Sequence, residues 1–275
     1  MGSTRMLAVL AATLLFAPGC SGEPEQPPQE AQAVAFERLA EDPAVHGERV
    51  ARVLGCVGCH GENLAGRDWS DPLGVLWTAN LTQSAADYSD PELERMILSG
   101  RRPGRDLMGM PSHLFTQLHP RDMEAVLAFT RRIPLSGERH PEPTMAPELR
   151  KMFEEGKFKT SAQEVALHGN AWPPDAGEDH RLGRYLVRAT CAECHGMDLR
   201  GGPPPFPGDP ARPDLRLAAA YDPADFTRLM REGKAAGDRE LTLMSEVARG
   251  RYAHFTDAEI EAVRAYLSQV ARTDP

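Results

Sequence analysis

Apolar positions along the chain recur at helical spacing, and the same series of helical stretches occurs twice. An apolar-periodic stretch at Glu48–Leu54 opens the first series, and one at Leu182–Arg188 opens the second. Asp90 then reads as an N-cap, with Pro91 at the first helical position and Gly100 as the stop; Asp222, Pro223 and Gly233 repeat that punctuation. A third stretch closes each series, Arg121–Arg131 in the first and Asp257–Val270 in the second, where Thr256 and Glu259 form a capping box. The pattern predicts an all-α chain of two tandem domains, residues 37–133 and 178–273. Between them, residues 134–177 read as a linker rich in Pro, Glu and His. It holds one short helical candidate, Pro147–Lys157, and a Trp172-Pro173-Pro174 corner expected to pack against a neighbouring domain.

The N-terminal end follows another pattern. In residues 1–19, Arg5 is the only charge, and the apolar run Met6–Ala17 is too short to span a bilayer before small residues take over. This is the organisation of a secretory signal peptide. Cys20 follows and opens a Pro/Glu/Gln-rich stretch, 20–36, which reads as a disordered tether. A lone cysteine at this junction resembles the lipid-modified cysteine of bacterial lipoproteins: Gly19 fits the position before it, while Pro18 and Ala17 depart from the usual residues. The resemblance implies an exported chain, lipid-anchored at Cys20 on the periplasmic face of a bacterial membrane. Ordinary cleavage nearby is the alternative, and it would leave a free thiol.

Composition narrows the function classes. A mean hydropathy of -0.43 excludes a polytopic membrane protein. A net charge of -9 excludes nucleic acid as a partner, since phosphates demand a basic face. Aromatic residues make up only 6%, so a buried cofactor is a natural source of the apolar volume that the side chains do not supply.

The four cysteines after Cys20 form two identical patterns, Cys56-Val57-Gly58-Cys59-His60 and Cys191-Ala192-Glu193-Cys194-His195. Cys-x-x-Cys-His is the c-type haem attachment pattern. Thiols at i and i+3 share one face of a helical turn and reach the two vinyl groups of one porphyrin, and the next residue offers its imidazole to the iron. Gly61 and Gly196 follow the two histidines. A zinc site would set its Cys pairs about 15–20 residues apart, against 132 residues from Cys59 to Cys191. A thioredoxin-like pair needs a βαβ context that the pattern lacks, and a structural disulfide leaves the two histidines unexplained.

The repeat also locates the opposite ligands. Met110 lies 50 residues after His60, and Met244 lies 49 after His195, each in a stretch expected to be a loop before the last helix. A thioether is a soft ligand that raises the potential of haem iron. Met108 is the rival at the first site. His113 is a further candidate, but nothing matches it in the second half. His46, His119, His140, His168, His180 and His254 recur in no register and read as surface or capping residues. Met96, Met123 and Met230 fall within helical patterns and read as core.

With these residues in place, both halves resemble the class I cytochrome c fold. The first half resembles domains in the haem subunits of bacterial membrane-bound dehydrogenases, through Asn80-Leu81-Thr82, Gly104-Arg105, Met110-Pro111, Phe115, Leu118 and Asp122. In the second half the similarity is carried by Leu182-Gly183-Arg184, Gly233, Met244, Phe255-Thr256-Asp257 and Tyr266, with Met-Ser in place of Met-Pro. The resemblance implies a few helices wrapped around one covalent haem in each domain. It implies thioether attachment at Cys56, Cys59, Cys191 and Cys194, and axial pairs His60 with Met110 and His195 with Met244. The expected function is electron transfer between redox protein partners (a dehydrogenase, an oxidase or a small carrier) without catalysis by the chain itself. The two domains are expected to behave independently. A di-haem peroxidase and a haem-based sensor are the alternatives.

Overall fold

The computed structural model describes Met1 and residues 34–71, 74–204 and 210–273. The stretch read as a signal peptide, apart from Met1, lies outside the described residues, as do Cys20 and most of the stretch read as a tether. From Val34 onward the chain forms one unit.

Single residues write most helix ends. Asp42 accepts a hydrogen bond from the Ala44 N–H at 2.9 Å, and Pro43 begins α1 (Pro43–Leu54). Then come α2 (Cys56–His60), α3 (Leu81–Asp87), α4 (Asp90–Ser99), α5 (Ser112–Phe115) and α6 (Pro120–Arg132). The cap of α4 is Ser89 rather than Asp90. Both residue types can cap, and Glu92 decides between them, because its carboxylate accepts from the Ser89 N–H at 2.8 Å. The second half holds α9 (Arg181–Thr190), α10 (Ala192–His195), α11 (Pro223–Glu232), α12 (Leu243–Gly250) and α13 (Asp257–Thr273). Asp222 caps α11 and Gly233 ends it at φ 72. Glu259 and Thr256 form the expected reciprocal bonds at the start of α13.

In each half the first helix packs on the last, α1 on α6 and α9 on α13. A glycine brings the backbones together at both crossings. A Cβ on Gly47 would lie 1.8 Å from the Ala125 carbonyl oxygen, and one on Gly183 would lie 2.2 Å from that of Ala262.

The strands among the described residues are three antiparallel two-residue ribbons: β1 (Gly74–Val75) with β4 (Thr144–Met145), β2 (Arg101–Arg102) with β3 (Arg105–Asp106), and β5 (Lys234–Ala235) with β6 (Arg239–Glu240). The last two are hairpins at equivalent places, each directly after a glycine-stopped helix.

The stretch read as a linker is folded onto the first half. It carries two helices, α7 (Pro147–Glu154) and α8 (Ser161–His168), where one was expected. Strand β4 pairs with β1, and α8 packs on α5. Trp172, expected to pack, has its ring under Arg184 and Arg188 at 5.5 and 5.1 Å but remains 38% exposed.

The halves are not independent. One apolar cluster runs through both, including Phe36, Val50 and Leu114 from one side and Leu186, Phe255 and Tyr266 from the other. Phe36, expected at the end of a tether, is only 1% exposed. Its ring stacks on Phe255 at 6.4 Å and meets Tyr185 edge-on at 5.8 Å.

Two buried acids at matching positions of the last helices complete the join. Asp122 on α6 accepts from the Phe36 N–H and the Tyr185 hydroxyl. Glu259 on α13 accepts from the Glu37 N–H and from Arg49 at 2.7 Å. Each acid thus holds a residue of the opposite half. Arg188, also buried, reaches from α9 to the carbonyls of His113 and Leu114 on α5 and to those of Gly169 and Ala171. With no carboxylate partner among the described residues, burial lowers its pKa to about 10.

Candidate functional site

Both Cys-x-x-Cys-His segments fold as a short helical turn directly after a longer helix. In α2, Cys56 and Cys59 lie one turn apart; in the second half Cys191 precedes α10 and Cys194 lies within it. All four thiols are free. Among the described residues, no group of three or more His, Cys, Asp or Glu side chains converges, so the thiols do not meet as a shared zinc site.

After each histidine the chain follows the same hydrogen-bonded path. Gly61 and Gly196 take positive φ values of 83 and 75. The Leu64 N–H donates to the Gly61 carbonyl and the Gly66 N–H to that of His60; Leu199 with Gly196 and Gly201 with His195 repeat this. Further on, the Leu81 N–H donates to the Leu64 carbonyl at 2.8 Å, and Leu215 to Leu199 at 2.9 Å.

The returning strand of each loop puts a carbonyl against the histidine. Nδ1 of His60 lies 2.8 Å from the Ala79 oxygen, and Nδ1 of His195 lies 2.8 Å from the Pro213 oxygen. A carbonyl only accepts, so Nδ1 carries the proton and Nε2 keeps its lone pair. Burial lowers the pKa of both imidazoles and favours this neutral, ligating form. Burial also raises the thiols of Cys56, to about 12, Cys191 and Cys194, and that of Cys59 is raised too although its side chain stays exposed. Uncharged thiols at i and i+3, one oriented imidazole and an apolar surround fit a c-type haem.

Met110 occupies a loop between β3 and α5, after Gly109, and is partly buried against the common apolar cluster. Met244 packs against that cluster too, but in the first turn of α12 rather than in the loop expected. The following residue explains the difference. Pro111 disfavours the helical conformation at Met110, whereas Ser245 leaves Met244 free to join a helix. Met108, though half-buried, is not among the residues packed on the cluster.

The other histidines divide. His119 caps α6 through the Arg121 N–H. His140 stacks on Trp77 at 4.2 Å and meets the Ala65 carbonyl. His46, expected at the surface or in a cap, is 6% exposed and faces Asp122 at 3.8 Å, because α1 turns it inward onto α6. The His113 ring lies 6.2 Å from that of His168, and its Nδ1 has no partner among the described residues.

Sequence reasoning did not find the two carbonyls that orient the histidines. Their only sequence trace is the repeated Gly-x-x-Leu-x-Gly that follows His60 and His195.

No curated protein matches the chain. The cytochrome c family profile matches residues 44–133 and again residues 181–271, more than half of the chain and both Cys-x-x-Cys-His segments. The chain therefore belongs to the cytochrome c family and carries two of its domains in tandem.

Proposed function

We propose that the chain holds two covalent haems, one at each motif, and carries electrons between redox proteins at the periplasmic face of a bacterial membrane. Its cytochrome c domains imply covalently bound haem and electron transfer. The observation that carries the two-haem reading is the duplicated clamp, with His60 Nδ1 on Ala79 O and His195 Nδ1 on Pro213 O at the same 2.8 Å. Two sites built alike, down to the loop bonds, support the same chemistry at both.

When bound, haem c supplies a one-electron ferrous/ferric couple. Cys56 with Cys59, and Cys191 with Cys194, are the attachment thiols in this reading. His60 and His195 offer Nε2, with ring orientation fixed by the carbonyl behind each. Met110 and Met244 offer thioethers from the edge of the apolar cluster, which keeps water away. With an imidazole and a thioether from the protein to hold the iron, each site would suit electron transfer rather than substrate binding. The resemblance to haem subunits of membrane-bound dehydrogenases supports a place in a dehydrogenase or oxidase complex. The lone Cys20 of the sequence, directly after the stretch read as a signal peptide, supports a lipid anchor, and no helix among the described residues is long and apolar enough to cross a membrane. One acyl chain binds only marginally, so more than one is expected there.

The intact mass of the holoprotein tests the haem count, and two haems are expected. Redox titration tests the ligands: Met110→His and Met244→His should each lower chiefly the potential of their own site. Cys20→Ser should release the protein from the membrane fraction. A high-spin haem that consumes peroxide would replace the carrier with a peroxidase.

A further inference from the structure

The two attachment segments meet across one side chain. Arg251 lies between α12 and the Tyr252–His254 turn of the second half, yet its guanidinium ends on the first. Nε donates to the Val53 carbonyl at 3.1 Å and Nη2 to that of Leu54 at 2.9 Å. Those carbonyls end α1, just before Gly55 and Cys56. Nη1 pairs with Glu193 Oε2 at 2.9 Å, and Glu193 lies between the two attachment cysteines of the second motif. The side chains are 15% and 33% exposed, so the pair is partly withdrawn from water on the Arg251 side.

Gly55 makes the approach possible. A Cβ there would lie 2.8 Å from Arg251 Cζ, and its φ of 88 is left-handed. The neighbouring Tyr252 fixes the other side, with its buried hydroxyl donating to the Thr190 carbonyl just before Cys191. The charge of Arg251 is felt at all four attachment cysteines.

We propose that Arg251, paired with Glu193, is a positioning residue that holds the two haem-bearing segments side by side and sets the electrostatic environment of both haems together. The proposal rests on the two-haem reading. A positive charge near haem iron disfavours the ferric state and a negative one favours it, and a partly buried charge is weakly screened. Arg251→Gln leaves Glu193 unpaired between the sites, so both midpoint potentials should fall. Glu193→Gln leaves the guanidinium unpaired, so both should rise. The double variant should return toward the wild-type values. A purely structural contact would act otherwise, since loosening it from either end would move the potentials in the same direction.

The test is an optical redox titration of the full-length holoprotein, with intact mass measured first. A wild-type chain carrying fewer than two haems overturns the two-haem reading and this proposal with it. With two haems present, a shift confined to one site, no shift, or the same sign from Arg251→Gln and Glu193→Gln overturns this proposal alone. If Arg251→Gln does not assemble with two haems, Glu193→Gln decides: a rise in both potentials upholds the proposal, and any other result overturns it.

Discussion

At Asp122, burial and hydrogen bonding pull in opposite directions. Burial raises its pKa and outweighs the Tyr185 hydroxyl, the Phe36 N–H and the nearby His46 and His119, which all lower it. Between the ordinary carboxylate value and this raised one, the folded chain keeps a proton that the unfolded chain has released. Stability should therefore fall as pH rises through that window, from about pH 4 upward, and be flat on either side. Asp122→Asn should remove this slope, which appears as the wild-type minus variant difference in unfolding free energy across pH. At the same scale, Met110→Leu should turn one ferric site high-spin by magnetic resonance, and Met108→Leu should not. The candidate cysteines and histidines stand out in the sequence because haem attachment would fix their types and spacing, and Met110 and Met244 stand out only through the repeat. The carbonyls of Ala79 and Pro213 do not, because any residue supplies a carbonyl and only the returning loop selects which.

Helices announce themselves in sequence when their ends carry distinctive residues. Gly100, Gly233 and the Thr256–Glu259 box were read correctly for that reason. Helix α8 was missed although Thr160 and Gln163 form a capping box at its start, since its apolar stripe is short and a Pro-rich composition suggested a linker. The repeat suggests a loop at Met244 as at Met110, and the absence of a following proline lets Met244 join α12 instead. The helix crossings give a direct test. Gly47→Ala and Gly183→Ala each force a Cβ into a facing carbonyl, which should cost about 1–3 kcal/mol or more in denaturant unfolding. Gly250→Ala, a helical position with no atom within 4 Å of the new Cβ, should be neutral or stabilising by about 0.5–1 kcal/mol.

The repeat in sequence suggests two separable domains, but among the described residues the largest apolar cluster runs through both halves. Periodicity shows which face of a helix is apolar and not which partner covers it, so the joining of Phe36, Tyr185 and Phe255 was not legible. Calorimetry should show one unfolding transition, and replacing Cys56 and Cys59 with Ala should destabilise the second half as well as the first. Separately produced halves should expose the apolar surface that each now buries against the other and aggregate more readily.

The bond from Glu37 to Glu259 joins positions 222 apart in sequence. It also orders events in time. A ribosome delivers Glu37 and Arg49 early, and their acceptor arrives only when the last helix has been made. Until then Arg49 faces no carboxylate from α13, and Phe36 lacks the ring of Phe255. Residues made early in synthesis are thus among the last to settle. A nascent chain halted before α13 should remain open to protease at its N-terminal end.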